Sequence, residues 1–255
     1  MSVRISAWLP GLIMLASIMS NPLTVLAEDH DRCATAPTPE LHILACTAVI
    51  AGGEAGPKTI EIAYINRGLA YFATSQMQKA ITDFGKAIEL APQDSIGYEG
   101  RAIVYTAIRD YDRAIEDDHK ALEINPTSVR AYNNLGSAYK AKGDIQSALD
   151  NYNSAIRLSA TEPKLFFNRA NVFKASGKLR QAIDDYDRAL QLDRTFLSAY
   201  IGRGNAYEAL GDLKHAEADF DQVLQLDPMN NAAIVNRLGV ERLRRANQTS
   251  AVNGN

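Results

Sequence analysis

Residues 198–228 read SAYIGRGNAYEALGDLKHAEADFDQVLQLDP, and four earlier segments match them when the 255-residue sequence is shifted in steps of 34. Self-similarity at a fixed period of about 20–50 residues is typical of repeat proteins, in which each unit buries its apolar face against its neighbours. One alanine column is unbroken and consists of Ala80, Ala114, Ala148, Ala182 and Ala216. The sequence therefore predicts five stacked units and not one closed core.

Each unit also carries two aromatic residues with a small residue between them. The aromatic residues are seven positions apart, which is two helical turns, so both rings fall on one helix face, and the small residue lets a second helix approach closely. A break follows at position 75, 109, 143, 177 or 211, after which Asp110, Asp144 and Asp212 are predicted to cap the second helix. The three columns are Tyr64, Tyr98, Tyr132, Phe166 and Tyr200; Tyr71, Tyr105, Tyr139, Phe173 and Tyr207; and Gly68, Ala102, Gly136, Ala170 and Gly204. Each unit is thus predicted to be a helix-turn-helix.

These columns resemble the tetratricopeptide repeat over residues 61–230. The resemblance implies an all-α, right-handed α-solenoid of five helix-turn-helix units, in which part of each first helix faces a concave groove. The sequence departs from the family pattern at Asp118, where an aromatic residue is expected, at Val223, where alanine is expected, and at Ala160 and Arg194, where the closing proline is absent. The predicted units are 61–94, 95–128, 129–162, 163–196 and 197–230.

Shorter segments flank the five units. Residues 28–60 are predicted to be a capping segment, in which Pro39 to Ala51 carries apolar residues at helical spacing and Gly52-Gly53 stops the helix. Residues 231–246 match another first helix and become polar toward their end, as the solvated cap of a repeat array must be. The polar residues 247–255 are predicted to be a disordered tail.

Residues 1–27 have the composition of a secretory signal, with an early Arg4, an apolar stretch and Val25-Leu26-Ala27 before a predicted cut after Ala27. An uncleaved membrane anchor is the alternative interpretation, and no other segment reaches membrane length. Export, to a bacterial periplasm, would place Cys33 and Cys46 in an oxidising compartment, where an even count favours a disulfide. We therefore expect an exported protein with a Cys33–Cys46 bond and no membrane span once the signal is removed.

Four units carry an arginine just before the small residue and an aspartate sixteen residues later. The third unit has Leu135 and Asn151 in these places, so the two residue types are present together and absent together. We predict an ion pair between the two helices of a unit that fixes register and contributes about 0–1 kcal/mol. A row of arginines that binds a partner is the alternative. The predicted pairs are Arg67–Asp83, Arg101–Asp117, Arg169–Asp185 and Arg203–Asp219.

A column of asparagines precedes these arginines and is interrupted by Gly100 and Gly202. It resembles the asparagine ladder with which some members of the family hold an extended peptide backbone, since a carboxamide both donates and accepts hydrogen bonds. A solvated polar face is an equal alternative. The column consists of Asn66, Asn134, Asn168 and Asn236.

The third and fourth units add a basic stretch to the same face, in a chain of formal net charge −3. Cations and amides together favour an acidic segment or a chain-terminal carboxylate as the ligand. On the same face the first unit is apolar, with Ile62, Ile65, Leu69 and Phe72. This part of the groove suits an apolar side chain of a ligand, unless the N-terminal helix covers it. The basic stretch comprises Arg130, Asn133, Ser137 and Lys140 from the third unit and Lys164, Asn171 and Lys174 from the fourth.

The sequence does not indicate catalysis, a metal site or a cofactor. Its four histidines are scattered, and metal-binding spacings, a phosphate-binding glycine loop and a nucleophile elbow are missing. Nucleic-acid binding is disfavoured because the basic stretch is short and lacks aromatic residues for base stacking, and a lipid carrier would need a deep apolar groove. We therefore predict a scaffold or adaptor, not an enzyme, that binds a protein or peptide in its groove. An accessory subunit that stabilises an envelope complex through its convex face is the alternative, and the sequence indicates no oligomeric state.

Overall fold

The computed structural model describes residues 33–53 and 55–253, so the predicted signal segment lies outside the described residues. Every regular element in this part of the chain is a helix, and the predicted all-α class is confirmed. The helices are α1 (Pro39–Gly52), α2 (Pro57–Ala73), α3 (Met77–Leu90), α4 (Ser95–Ala107), α5 (Tyr111–Ile124), α6 (Val129–Lys142), α7 (Ile145–Leu158), α8 (Pro163–Ala175), α9 (Leu179–Leu192), α10 (Leu197–Ala209), α11 (Leu213–Leu226) and α12 (Asn231–Asn253).

Helices α2 to α11 form five pairs, one for each predicted unit. We call the first helix of each pair the A helix (α2, α4, α6, α8 and α10) and the second the B helix (α3, α5, α7, α9 and α11). Every helix packs against the next one, and the A helices of neighbouring units also contact each other. Within the described residues the backbone of each B helix approaches A helices and not another B helix, and α11 also packs against α12. The A helices therefore line the inner curve of the solenoid, and the B helices form its outer side.

The core lies between the two helices of each unit and between neighbouring units. All five residues of the alanine column are fully buried, and in four units a ring of the B helix is buried beside it, namely Phe84, Tyr152, Tyr186 and Phe220. Burial of such a ring stabilises a fold by about 1.5–3 kcal/mol. The second unit carries Asp118 in this place, and its carboxyl group is buried as completely as the rings.

The helix ends follow local chemistry. Asp110, Asp144 and Asp212 each accept a hydrogen bond from the backbone N–H three residues further on, which satisfies an otherwise unpaired donor in the first turn. The turn between A and B helix contains a residue with positive φ in every unit, at Ser75, Arg109, Gly143, Gly177 and Gly211. The sequence break identified in each unit is thus a left-handed backbone position.

At the N-terminal end α1 packs on α2, and the Cys33–Cys46 disulfide ties α1 to the helical turn at residues 33–35. Cys46 is fully buried and lies 34 positions before Ala80, so it continues the alanine column. Helix α1 therefore takes the place of a B helix in an incomplete sixth unit.

At the C-terminal end α12 continues to Asn253, beyond the predicted end at Ala246. The predicted tail is helical as far as this residue because no glycine or proline interrupts residues 247–253. None of the helices in the described ranges combines the length and hydropathy required to cross a membrane.

Candidate functional site

A cavity of about 690 Å³ opens where the N-terminal ends of α4, α6 and α8 lie side by side. We call this cavity, together with the A-helix surface that continues from it toward the C-terminal ends of α6 and α8, the A-helix groove. Four of the predicted binding residues, Arg130, Asn133, Lys164 and Asn168, line the cavity. The structure thus brings together residues from the third and fourth units that are 34 or 35 positions apart in the sequence.

The cavity floor contains a carboxylate that the sequence analysis did not select. Glu99 of α4 is only 2% exposed. Its Oε1 accepts hydrogen bonds from Ser128 Oγ at 2.7 Å and Ser95 Oγ at 3.1 Å, and its Oε2 lies 3.1 Å from Arg130 Nε. A buried charge is tolerated when it is paired and hydrogen-bonded in this way. Glu99 therefore fixes the guanidinium of Arg130, whose side chain is 57% exposed, at the wall of the cavity.

A sequence signal for Glu99 exists in the repeat alignment. The equivalent residues of the other units are Ile65, Asn133, Phe167 and Ile201, so a carboxylate at this place is unique among the five units. An acidic residue in a column of apolar and amide residues could have marked the cavity before the structure was known.

Two amides join the third and fourth units across the cavity. Asn168 Nδ2 donates a hydrogen bond to Asn133 Oδ1 at 2.9 Å, and both side chains are half-buried. A carboxamide has two N–H donors and a carbonyl acceptor, so this bond leaves hydrogen-bonding capacity on each residue. The pair presents amide groups to anything that enters the cavity.

The remaining predicted residues of these units lie further along the same helices. Ser137 Oγ is 2.9 Å from Tyr152 Oη, and Tyr186 Oη donates to Asn171 Oδ1 at 2.6 Å. Burial raises the pKa of Tyr152 to about 12, so its hydroxyl stays neutral in the physiological range. Two core tyrosines thus reach the A-helix surface with their hydroxyl groups. Lys140 and Lys174 lie one turn beyond Ser137 and Asn171.

The predicted asparagine row is not a uniform ligand-facing row. Asn134 is only 7% exposed, and its Nδ2 donates to Asp118 Oδ1 at 3.1 Å and to the Glu99 carbonyl at 3.3 Å. Both donors are used inside the protein, so Asn134 belongs to the core. Asn66 donates to the Cys33 carbonyl, and Asn236 donates to Asn205 Oδ1. These two residues lie at opposite ends of the solenoid, away from the cavity.

Ring packing explains why glycine replaces asparagine in two units. A Cβ atom on Gly100 would lie 2.3 Å from the ring of Phe84, and one on Gly202 would lie 2.6 Å from the ring of Tyr186. In the third and fifth units the rings of Tyr152 and Phe220 lean instead on Gly136 and Gly204 of their own unit. The following A helix then has room for Asn168 and Asn236. Whether asparagine or glycine stands in this column therefore depends on where the ring of the preceding unit lies, as well as on any contact with a ligand.

All four predicted arginine–aspartate pairs are in contact in the structure. The shortest separations are 2.7 Å for Arg67–Asp83, 2.8 Å for Arg101–Asp117, 2.6 Å for Arg169–Asp185 and 2.5 Å for Arg203–Asp219. Each aspartate accepts two hydrogen bonds from its arginine, which is the geometry of a bidentate pair. The arginines are therefore held in place across the two helices of their own unit.

Three arginines also contact the preceding unit, which the sequence analysis missed. Arg169 donates to Asn153 at 2.6 Å, Arg203 contacts Asp187, and Arg237 contacts Asp221. In each case the partner lies sixteen residues before the arginine. A comparison of the sequence with itself at this offset could have revealed the contact.

Within the described residues no group of three or more His, Cys, Asp or Glu side chains could hold a metal ion. The groove therefore offers hydrogen bonds and charge, and its polar groups come from three A helices. Such an arrangement can bind a polar, elongated ligand.

Family models described as tetratricopeptide repeat match residues 62–94, 95–160 and 198–230, and one described as TPR repeat matches residues 170–211. No curated protein matches the sequence. Among solved structures, a tetratricopeptide repeat protein from Parabacteroides merdae is 20% identical with a TM-score of 0.68, and the match covers 87% of this chain and 86% of that chain. The pilF protein of Pseudomonas aeruginosa is 21% identical with a TM-score of 0.67, with coverage of 78% and 91%.

A third structure, YrrB, described as a TPR protein with an unusual peptide-binding site, is 20% identical with a TM-score of 0.53 and coverage of 74% and 96%. At these identities the three structures support the fold. The family matches together span residues 62–160 and 170–230, more than half of the sequence. The chain belongs to the tetratricopeptide repeat family.

Proposed function

We propose that this protein is a scaffold or adaptor that binds an extended segment of a partner protein in the A-helix groove. The family fold is typical of protein–protein interaction. The observation that carries the proposal is the cavity of about 690 Å³ lined by Asn133, Asn168 and an arginine held by a buried carboxylate. Pockets of about 300–1,000 Å³ are of the size that encloses a ligand.

The chemistry of the cavity suits a peptide backbone. An extended segment carries unpaired N–H and C=O groups, and the free capacity of Asn133 and Asn168 can meet both kinds. Arg130 is already paired with Glu99 before any ligand arrives, so less of its side-chain entropy is lost on binding. The other two A helices, α2 and α10, lack this combination of residues, which supports a contact in the second to fourth units.

The proposed site of action is outside the cytoplasm, in a bacterial periplasm. The composition of residues 1–27 and the Cys33–Cys46 disulfide support this assignment, because structural disulfides persist in oxidising compartments. Recovery of the protein from cells with both thiols free, under conditions that prevent reduction, would contradict it.

The test compares partner recovery by the wild type and by Asn133→Ala with Asn168→Ala in a pull-down from the cell envelope. Each lost hydrogen bond is worth about 1 kcal/mol, so we expect affinity for the recovered partner to fall about 10- to 100-fold. The matched control is Gln181→Ala with Asp184→Ala, two exposed positions on the outer side of α9, which should leave recovery unchanged. Thermal denaturation verifies that both variants remain folded.

Equal recovery by the groove variant and the wild type would defeat the proposal. If the α9 variant then lost the partner, the accessory-subunit alternative, with its contact on the B helices, would be favoured. Asn134 is not used in this test because its replacement would disturb the core.

A further inference from the structure

Helix α12 exposes large apolar side chains on one of its faces. Val235, Leu238 and Arg242 follow each other at intervals of three and four residues, so they share one helix face, and all three side chains are exposed. Leu238 is 49% exposed. The equivalent residue of the five A helices is small and buried, namely Gly68, Ala102, Gly136, Ala170 and Gly204. Helix α12 therefore presents a large apolar side chain to solvent at a position that is covered in every complete unit.

Helix α1, at the other end of the solenoid, has a face of the same kind. Leu41, Leu44 and Ala48 follow each other at the same intervals and are all exposed, Leu44 to 68%. Glu40 lies one helical turn before Leu44 and is exposed as well. Single exposed leucines are common, whereas neighbouring apolar side chains on one exposed face mark an interaction surface.

The two ends of the sequence carry opposite charge. Residues 28–56 contain five acidic residues and one arginine, a net charge of −4, and residues 231–255 contain four arginines and one glutamate, a net charge of +3. Arg237, Arg244 and Arg245 are paired with carboxylates of their own chain. The guanidinium of Arg242 donates only to the Leu238 carbonyl, at 3.4 Å. The α12 face thus retains a positive charge beside its apolar residues, and the α1 face has the negative charge of Glu40 in the same position.

The two faces fit each other when the helices are antiparallel. Glu40 and Leu44 are four residues apart, and so are Leu238 and Arg242, but the charged residue comes first on α1 and last on α12. An antiparallel pair of helices therefore brings Glu40 opposite Arg242 and Leu44 opposite Leu238 at the same time. A pair formed by two α12 helices would bring arginines together, and one formed by two α1 helices would bring glutamates together, which is unfavourable.

We propose that α12 of one copy of this protein binds α1 of a second copy, so that the chains associate head to tail. The contact joins two different surfaces, and each pair of chains therefore keeps one free α1 and one free α12 to which further copies can bind. The A-helix groove takes no part in this contact, so the inference is independent of the proposed function.

The experiment measures self-association of the purified protein by sedimentation velocity at increasing concentration. We expect the wild type to form assemblies whose size increases with concentration. Leu238→Asp blocks α12 and Leu44→Asp blocks α1, so each variant alone should be a monomer. An equimolar mixture of the two variants should form a dimer, because one unmodified α12 and one unmodified α1 remain. The matched control is Leu158→Asp, an exposed leucine of α7, which should associate like the wild type.

A charge exchange tests the orientation without altering the apolar residues. Arg242→Glu alone and Glu40→Arg alone should each weaken association about 3- to 10-fold, since an attraction between exposed charges becomes a repulsion. The double variant restores opposite charges and should associate nearly as well as the wild type. Thermal denaturation verifies that all variants are folded, and both charge changes are at exposed positions.

Four results would overturn the proposal. The first is a wild type that stays monomeric up to about 1 mM. The second is continued association of either aspartate variant alone, which would indicate contact between identical surfaces. The third is a mixture of the two variants that forms no dimer. The fourth is an effect of Leu158→Asp as large as that of Leu238→Asp, which would indicate unspecific apolar association.

Discussion

Asp118 shows how one residue can depart from the repeat and still be accommodated. It stands where four other units bury an aromatic ring, and its carboxyl group is fully buried. Oδ1 accepts one hydrogen bond from Asn134, and Oδ2 has no partner among the described residues. Burial, with the nearby negative charges of Glu99 and Asp117, raises the pKa of Asp118 to about 9. Asp118 is therefore protonated in the folded protein at neutral pH.

This protonation predicts a pH dependence of stability. An unfolded aspartate has a pKa of about 3.9, so between this value and about 9 the folded chain holds a proton that the unfolded chain has released. Stability should therefore fall as pH rises, by about 1.4 kcal/mol per pH unit from this residue. Urea unfolding at pH 5.5 and 7.5 measures the change, and Asp118→Asn, which cannot ionise, should reduce it.

The control is Asp150→Asn, an exposed aspartate on α7. It should keep the wild-type dependence on pH. A wild-type protein whose stability changes no more between the two pH values than that of Asp118→Asn would show that Asp118 is ionised in the folded state.

Single residues were predicted with uneven success from the sequence. The ion pairs could be predicted from the sequence because arginine and aspartate are either both present or both absent in each unit. Asp118 and Asn134 were each noticed but were not connected, since their contact joins a B helix to the next A helix at an offset of sixteen residues. The role of Glu99 was missed because a single column cannot show which hydroxyl groups surround a side chain.

At the scale of the helix pair, the A-to-B turn is the least uniform element. Three turns carry glycine at the left-handed position, but the first two carry Ser75 with φ of 58° and Arg109 with φ of 65°. A side chain in this conformation costs about 1–2 kcal/mol. The turns of the first two units are therefore strained relative to the others.

Arg109→Gly should relieve this strain. Because glycine also has more conformational freedom in the unfolded chain, we expect a net gain of about 0.5–1 kcal/mol, measured by chemical denaturation. The matched change, Asp184→Gly at an exposed position in the middle of α9, should lower stability by about 0.3 kcal/mol, since aspartate is already a weak helix former. A loss of stability in Arg109→Gly would mean that the arginine side chain stabilises the turn by contacts that outweigh its backbone strain.

The helices themselves were largely predictable, because caps and breaks are local signals. Asp110, Asp144 and Asp212 begin helices as expected. The end of α12 was not predictable from polarity alone, since a polar sequence without glycine or proline remains compatible with a helix. The equivalence of α1 to a B helix became clear only from its packing on α2.

At the scale of the whole molecule, stability is expected to vary along the solenoid because each unit contacts only its neighbours. The disulfide closes a loop between residues 33 and 46 and should stabilise the N-terminal end by about 3 kcal/mol. Cys33→Ser with Cys46→Ser should therefore increase amide hydrogen exchange in α1 and α2 while α9 to α11 keep their protection. Exchange that rises equally in all helices would indicate a single cooperative unit.

The overall architecture was predictable because a period of 34 residues recurs five times, whereas the division of the inner face into core and ligand-facing residues was not. Whether an asparagine is free depends on the ring of the preceding unit, as Gly100 and Gly202 show. The position of the ring is set by contacts between neighbouring units, so a comparison of equivalent positions in the five units does not show it.

The absence of contacts between B helices in the described part of the chain has a mechanical consequence. Bending that spreads or gathers the outer helices should disturb less packing than sliding one A helix past the next. The solenoid should therefore be compliant toward changes of curvature and stiff toward shear. A thicker ligand can be accommodated by a small decrease in curvature at each of several units, without unfolding any helix.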